Sequence, residues 1–159
     1  MQRPLDGWIS LQADDRVLAR IGSASGIRLP HAVGSVARDA AWEVFRTGPD
    51  ECLLRVEISR EDDMLARLRQ AAGDAHAAIA LVSDASAGFD LAGEDAADVL
   101  AQGCPLDLDR LPPDACARTL LGRVPMLVTR TGDGFALWVE RSHARHVHAW
   151  LDAAAAGTR

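Results

Sequence analysis

Cys104 stands between a glycine and a proline and is the obvious nucleophile candidate in this chain. A cysteine attacks as its thiolate, which needs a base in reach and a lowered thiol pKa. No histidine is near it in sequence, and Gly103-Cys104-Pro105 equally makes a tight turn that places a small apolar thiol in a core. His143, His146 and His148 invite a metal. His143 and His146 are spaced i, i+3 and would share a helix face, while His148 points elsewhere. Two imidazoles without a thiol or carboxylate beside them fall short of the three or four ligands zinc takes, so solvated helix histidines are expected. Asp107, Asp109 and Asp114 would offer an acid and base pair. They lie in a Pro-rich stretch with no recognisable set of pocket residues, so turn formation and loop capping are expected of them. No catalytic, cofactor-binding or metal-binding residue is assigned.

The elements that must position these residues are set by periodicity. Trp42 and Val44 alternate with Glu43, and Cys52 to Ile58 reads as a returning strand across Thr47-Gly48-Pro49-Asp50-Glu51. Ser59 and Asp62 fit a loose capping box ahead of a helix carrying Met64, Leu65, Leu68 and Ala72, with Gly73 at its C-cap. Ala77 to Val82 is a short apolar run, read as a buried central strand with Ser86 to Ala92 as its hairpin partner. Gly93-Glu94-Asp95 opens a short helix that buries Ala96, Val99 and Leu100 and ends at Gly103. Pro105, Pro112 and Pro113 keep the segment after it from being helical.

Three strands come next, at 118–121, 126–131 and 135–140, the last two joined through Gly132-Asp133-Gly134. Phe135, Leu137 and Val139 share one face, and Trp138 faces the other way. Trp138 therefore lies either under a second layer or at a partner contact, where tryptophan is a favoured hot spot. Ser142 is a good N-cap for a final helix whose Val147, Trp150, Leu151 and Ala154 form an apolar stripe. Arg141 and Ser142 are expected to act locally, by capping and loop anchoring. The expected fold class is α+β, with helices packed on one face of a largely antiparallel sheet. A single domain is expected over 1–159, with residues 1–40 irregular except for a short edge strand at Ile27-Arg28-Leu29.

Composition narrows the function classes. The chain has 159 residues and a formal net charge of −6; its basic residues are all arginine, and lysine, tyrosine and asparagine are absent. A chain of this size can bury roughly 68–70% of its unfolded surface and needs no disulfide or metal to fold. Without a basic stripe, nucleic-acid binding is not expected. No apolar run approaches the ~20 residues of a membrane span, and the first residues lack the apolar core of a signal peptide. Cys52, Cys104 and Cys116 match neither a disulfide framework nor a zinc pattern, which points to free thiols in a reducing cytoplasm.

Three segments carry a family resemblance. Gly93-Glu94-Asp95-Ala96 with Leu100 resembles a helix start shared by sarcosine oxidase gamma subunits and glycine-cleavage aminomethyltransferases. Gly103-Cys104-Pro105-Leu106-Asp107-Leu108, running on through Pro112-Pro113-Asp114-Ala115-Cys116-Ala117-Arg118-Thr119-Leu120-Leu121, is similar to the specific motif of the gamma subunits. Phe135, Leu137, Val139, Arg141, Ser142, Trp150 and Leu151 resemble their closing pattern, and Gly48-Pro49-Asp50-Glu51 resembles one of their turns. Together these cover roughly residues 41–155. Cys52 stands where relatives usually have tryptophan, and Leu81-Val82-Ser83-Asp84 where they commonly read Asp-Val-Ser-His. The second change removes a carboxylate and an imidazole, and it weakens any case for folate chemistry in this chain.

The resemblance implies a folate-binding-like domain of the aminomethyltransferase group, serving as a non-catalytic accessory subunit of a heterotetrameric oxidase that converts sarcosine to glycine. It implies a larger alpha-type subunit as partner and, through it, beta and delta subunits. FAD, FMN, NAD and tetrahydrofolate are then expected in those partners, with none bound by this chain. Gly103, Cys104, Pro105, Asp107, Thr119, Trp138 and Arg141 are its motif and candidate interface residues. Alternatives are a free-standing folate or one-carbon binder, and the equivalent subunit of a dehydrogenase for another N-methylated amino acid.

Overall fold

A computed structural model describes residues 1–157; residues 158 and 159, the last two of the expected domain span, lie outside the described residues. Contacts group Leu5–Ser83 into one compact unit, and Met1–Pro4 with the chain from Asp84 onward into another. Among the described residues the fold is α+β, with two antiparallel sheets and four α-helices.

The Leu5–Ser83 unit holds strands β1 (Asp6–Gln12), β2 (Val36–Arg38), β3 (Trp42–Gly48), β4 (Glu51–Glu57) and β5 (Ala78–Leu81), in the order β2-β3-β4-β1-β5. Helix α1 (Asp15–Ser25) starts on Asp14, whose carboxylate accepts from the Val17 N–H at 2.9 Å, and stops at Gly26 with φ 67°. Helix α2 (Glu61–Ala72) opens with Glu61, Asp62 and Asp63, carboxylates that complement the positive end of its dipole, and closes on Gly73. Ile9, Leu11, Val44, Leu54 and Val56 from the sheet form one core with Leu18, Ile21, Met64 and Leu68 from the helices.

The other unit orders its strands β6 (Ser86–Ala92), β9 (Gly134–Glu140), β8 (Val124–Arg130) and β7 (Cys116–Leu121). Helices α3 (Ala96–Ala101) and α4 (Ala144–Gly157) bury Leu100, Val147 and Leu151 in one core with Phe89, Val128, Leu137 and Val139. The Gly132-Asp133-Gly134 connection forms as expected, with the Thr131 N–H donating to Gly134 O at 2.9 Å.

Several expectations are corrected. Residues 1–40 are not irregular, since they hold β1 and α1. Trp8 and Ile9 are neighbours and both buried, so β1 lacks a clean two-residue alternation. Gly22, Ser23 and Ser25, residue types that favour turns, lie inside α1. A Cβ on Gly22 would come 2.9 Å from the Ile27 carbonyl oxygen, so the glycine serves a close approach rather than a turn. Ile27–Leu29 forms no strand.

Ala77 to Val82 yields an edge strand, β5, rather than a central one, and β6 pairs with β9 instead of returning beside β5. The helical turn Ser83–Ala85 separates the two strands. Ser83 Oγ accepts from the Trp8 N–H at 2.9 Å, closing the end of the β1–β5 ladder. The loose capping box at Ser59 is not formed: α2 comes after a turn at Ile58–Arg60, and Arg60 stands at its N-cap without a side-chain bond.

Candidate functional site

The specific motif begins where α3 ends. The N–H groups of Gly103 and Cys104 both donate to Leu100 O, at 3.0 and 2.8 Å, which closes the last helical turn. Pro105 has no N–H to offer and carries the chain out of the helix. Gly103 O accepts from the Gly122 N–H at 2.8 Å, tying the motif to the β7–β8 turn, where Gly122 has φ 62°. Cys104 is buried, with Sγ 3.9 Å from Thr119 Oγ1 on β7. The motif residues Gly103, Cys104 and Thr119 are thus brought together, and their contacts are those of a packed corner.

Arg130 on β8 fixes the rest of the motif. Its Nε donates to Leu111 O at 2.9 Å, and its Nη2 to Leu108 O at 2.7 Å and Asp109 O at 3.2 Å. Its guanidinium lies 5.0 Å from the Phe135 ring centroid. Thr129, also on β8, donates from Oγ1 to Ala115 O at 2.7 Å. A Pro-rich segment without a ladder of its own therefore has its carbonyls satisfied by β8. Asp107 pairs with Arg110 at 3.4 Å on the surface.

Trp138 is 4% exposed, which places it in the interior rather than at a partner contact. The Arg3 guanidinium lies 5.4 Å from its ring, and Arg3 itself pairs with Asp90 at 2.6 Å. Arg141 anchors the chain as expected, donating from Nε to Asp84 O and from Nη2 to Ser86 O, each at 2.8 Å. His148 Nδ1 meets Asp152 Oδ2 at 3.0 Å, one turn on along α4. No group of three or more His, Cys, Asp or Glu able to hold a metal occurs among the described residues. Cys52, Cys104 and Cys116 are buried thiols outside any disulfide.

A second set of engaged charges lies in the Leu5–Ser83 unit, in residues that sequence reasoning missed. Arg46, 2% exposed, donates to Asp15 Oδ1 at 2.5 Å, to Gly48 O at 2.9 Å and to Pro49 O. Its Nη1 lies 3.8 Å from Cys52 Sγ. The signal was present: Arg46 lies two residues beyond Val44 and so shares its buried face. Burial pushes the Cys52 thiol pKa up, against the opposing pull of the Arg46 charge. Arg55 bridges Glu43 and Asp6 at 2.7 and 2.8 Å, while Arg38 also holds Glu43 at 2.9 Å. Burial works against the Arg55 charge, but Glu43 and Asp6 outweigh it and raise its pKa. These ions line a cleft of about 410 Å³ together with Trp42 and Arg60. Asp6 and Glu43 are engaged by arginines, an arrangement that supports structure rather than proton transfer.

Residues 10–157 match the family model described as sarcosine oxidase, gamma subunit family. The sarcosine oxidase subunit gamma of Corynebacterium sp. (strain U-96) is 33% identical over 137 residues, 84% of this chain. That alignment spans 66% of the relative's own length. A chain in the structure of the heterotetrameric sarcosine oxidase from Corynebacterium sp. U-96, in complex with pyrrole 2-carboxylate, superposes with a TM-score of 0.89 at 30% identity. The match covers 96% of this chain and 80% of that one. The glycine cleavage system aminomethyltransferase T from Bartonella henselae shares the fold, with a TM-score of 0.72 at 16% identity, over 94% of this chain and 44% of that chain.

Proposed function

The chain belongs to the sarcosine oxidase gamma subunit family, and from that premise we propose that it is an accessory subunit of a heterotetrameric sarcosine-oxidase-type flavoenzyme. The observation that carries this reading is the 0.89 superposition, over 96% of the chain, on a chain of such an oxidase. On this reading the flavins, NAD and tetrahydrofolate belong to the larger subunits, and this chain contributes no catalytic group. Support for the second half comes from the motif itself. Gly103, Cys104 and Thr119 pack a corner, Asp107 pairs on the surface, and Arg141 holds two carbonyls. The partner is the alpha-type subunit, with beta and delta joined through it, in the cytoplasm. No helix among the described residues is long and apolar enough to cross a membrane.

The deciding experiment is a pull-down with the tagged full chain from native extract, with flavin absorbance of the eluate as the readout. Yellow eluate containing a large subunit is the expected result. A colourless chain recovered alone would refute the reading.

A further inference from the structure

The edges of the two sheets are not protected alike. Beside β6, Gln2 bridges to Phe89, and backbone bonds run from the Arg3 N–H to Gly88 O and from the Asp90 N–H to Met1 O, both 2.8 Å. β2 is three residues long and ends on Arg38, whose carbonyl accepts from Arg28 at 3.4 Å. β7 carries the exposed charge of Arg118. β5 differs: Ala78-Ile79-Ala80-Leu81 has no charge and no proline, the usual devices that blunt an edge.

The register fixes which backbone groups β5 turns outward. The Val82 N–H donates to Trp8 O at 2.8 Å, which makes this a hydrogen-bonded position of the ladder. Antiparallel alternation then directs Ala80 at Ser10 and Ala78 at Gln12, and turns Ile79 and Leu81 away from β1. Arg69 of α2 agrees with that direction, since its Nη2 reaches Ile79 O at 3.1 Å. Leu81 N–H, Leu81 C=O and Ile79 N–H are left without a partner among the described residues. Around them Ala78 and Ala80 are exposed, and Leu81 is 37% exposed.

A row of outward donors and acceptors, flanked by small apolar side chains, matches another extended backbone. We propose that β5 receives an extended strand of a larger subunit of the oxidase complex, adding a sixth strand to this sheet; this rests on the function proposed above. Charge selects the occupant. Arg69 sits at the edge, so an incoming strand with a carboxylate opposite it is complemented. A second copy of this chain paired about a twofold axis would instead bring two Arg69 guanidinium groups to one seam.

The test uses the tagged full chain and the flavin-bearing subunit captured from native extract. Leu81→Pro deletes an N–H that the β1 ladder does not use, an edge position where proline is tolerated. Leu81→Asp keeps the N–H and adds a charge. Wild-type chain should show fast amide exchange at Ile79 and Leu81 alone and about a hundredfold protection in the complex. Each variant, melting near wild type, should bind the flavin-bearing subunit about tenfold or more weakly. Unprotected amides in the wild-type complex, or folded variants that bind like wild type, would overturn strand docking while leaving the subunit function standing. A self-paired dimer that protects the same amides would also overturn it, in favour of a second copy. Failure of the wild-type chain to capture any flavin subunit would remove both readings.

Discussion

Trp150 occupies the space in which a side chain on Gly103 would stand: a Cβ built there comes 2.7 Å from Cζ2 of the indole. The same Cβ would come 3.0 Å from the backbone nitrogen of Gly122, so retreat is blocked on a second side. The specific motif and the closing helix, two of the segments that carry the family resemblance, are thereby one packing unit.

Gly103→Ala is therefore expected to destabilise the chain by about 1–3 kcal/mol through overpacking. Denaturant midpoints measure it. Combining it with Trp150→Leu should cost less than the sum of the two single changes, because the smaller side chain makes room. Additive losses would show that the indole is not what excludes the methyl group.

Arg46→Lys should cost about 1–3 kcal/mol, since one ammonium cannot reproduce a fork serving Asp15, Gly48 O and Pro49 O together. Asp15→Asn should cost much less, because that carboxylate is 73% exposed. Thermal melts of the two variants side by side give the comparison.

The alkaline limb of stability should report Cys52. Its thiol pKa is raised in the folded chain by burial, so its contribution is complete below the unfolded value of about 8.5. The contribution is lost as pH rises from there through the folded pKa. With no lysine or tyrosine in the sequence, few other groups titrate in that window. Chemical denaturation at neutral and alkaline pH should show stability falling with pH, and Cys52→Ala should flatten the fall.

Cys104→Ser tests the absence of thiol chemistry. On the proposed function, sarcosine-dependent flavin reduction by the reassembled complex should proceed at the parent rate, while the chain loses about 1 kcal/mol from a buried thiol exchanged for a hydroxyl. A large loss of rate in a folded complex would make Cys104 a nucleophile after all.

A tetrahydrofolate analogue at millimolar concentration should leave the melting temperature of the isolated chain unchanged. Ligand binding to the native state alone would raise it. A clear upward shift would favour the free-standing folate binder.

The fold class was legible because amphipathic helices and hairpin signals are local. Leu68 and Ala72 announce α2, Val147 and Leu151 announce α4, and Gly132-Asp133-Gly134 announces a hairpin. Partner choice between strands was not legible. Ala77–Val82 is apolar enough for a central strand and yet lies at an edge, because pairing depends on residues far away in sequence. α1 was hidden by Gly22 and Ser25, whose small size serves packing within a helix. The corner at Gly103 was found through its motif, but Arg130 was not singled out, since its partners are carbonyl groups that leave no mark on the sequence.

The position of β1 also sets a clock for synthesis. It lies between β4 and β5, so its second neighbour is complete only when Leu81 has been added. At roughly 5–20 residues per second, translation leaves an unclosed ladder for some seconds. Throughout that interval the side of β1 that faces β5 stands open.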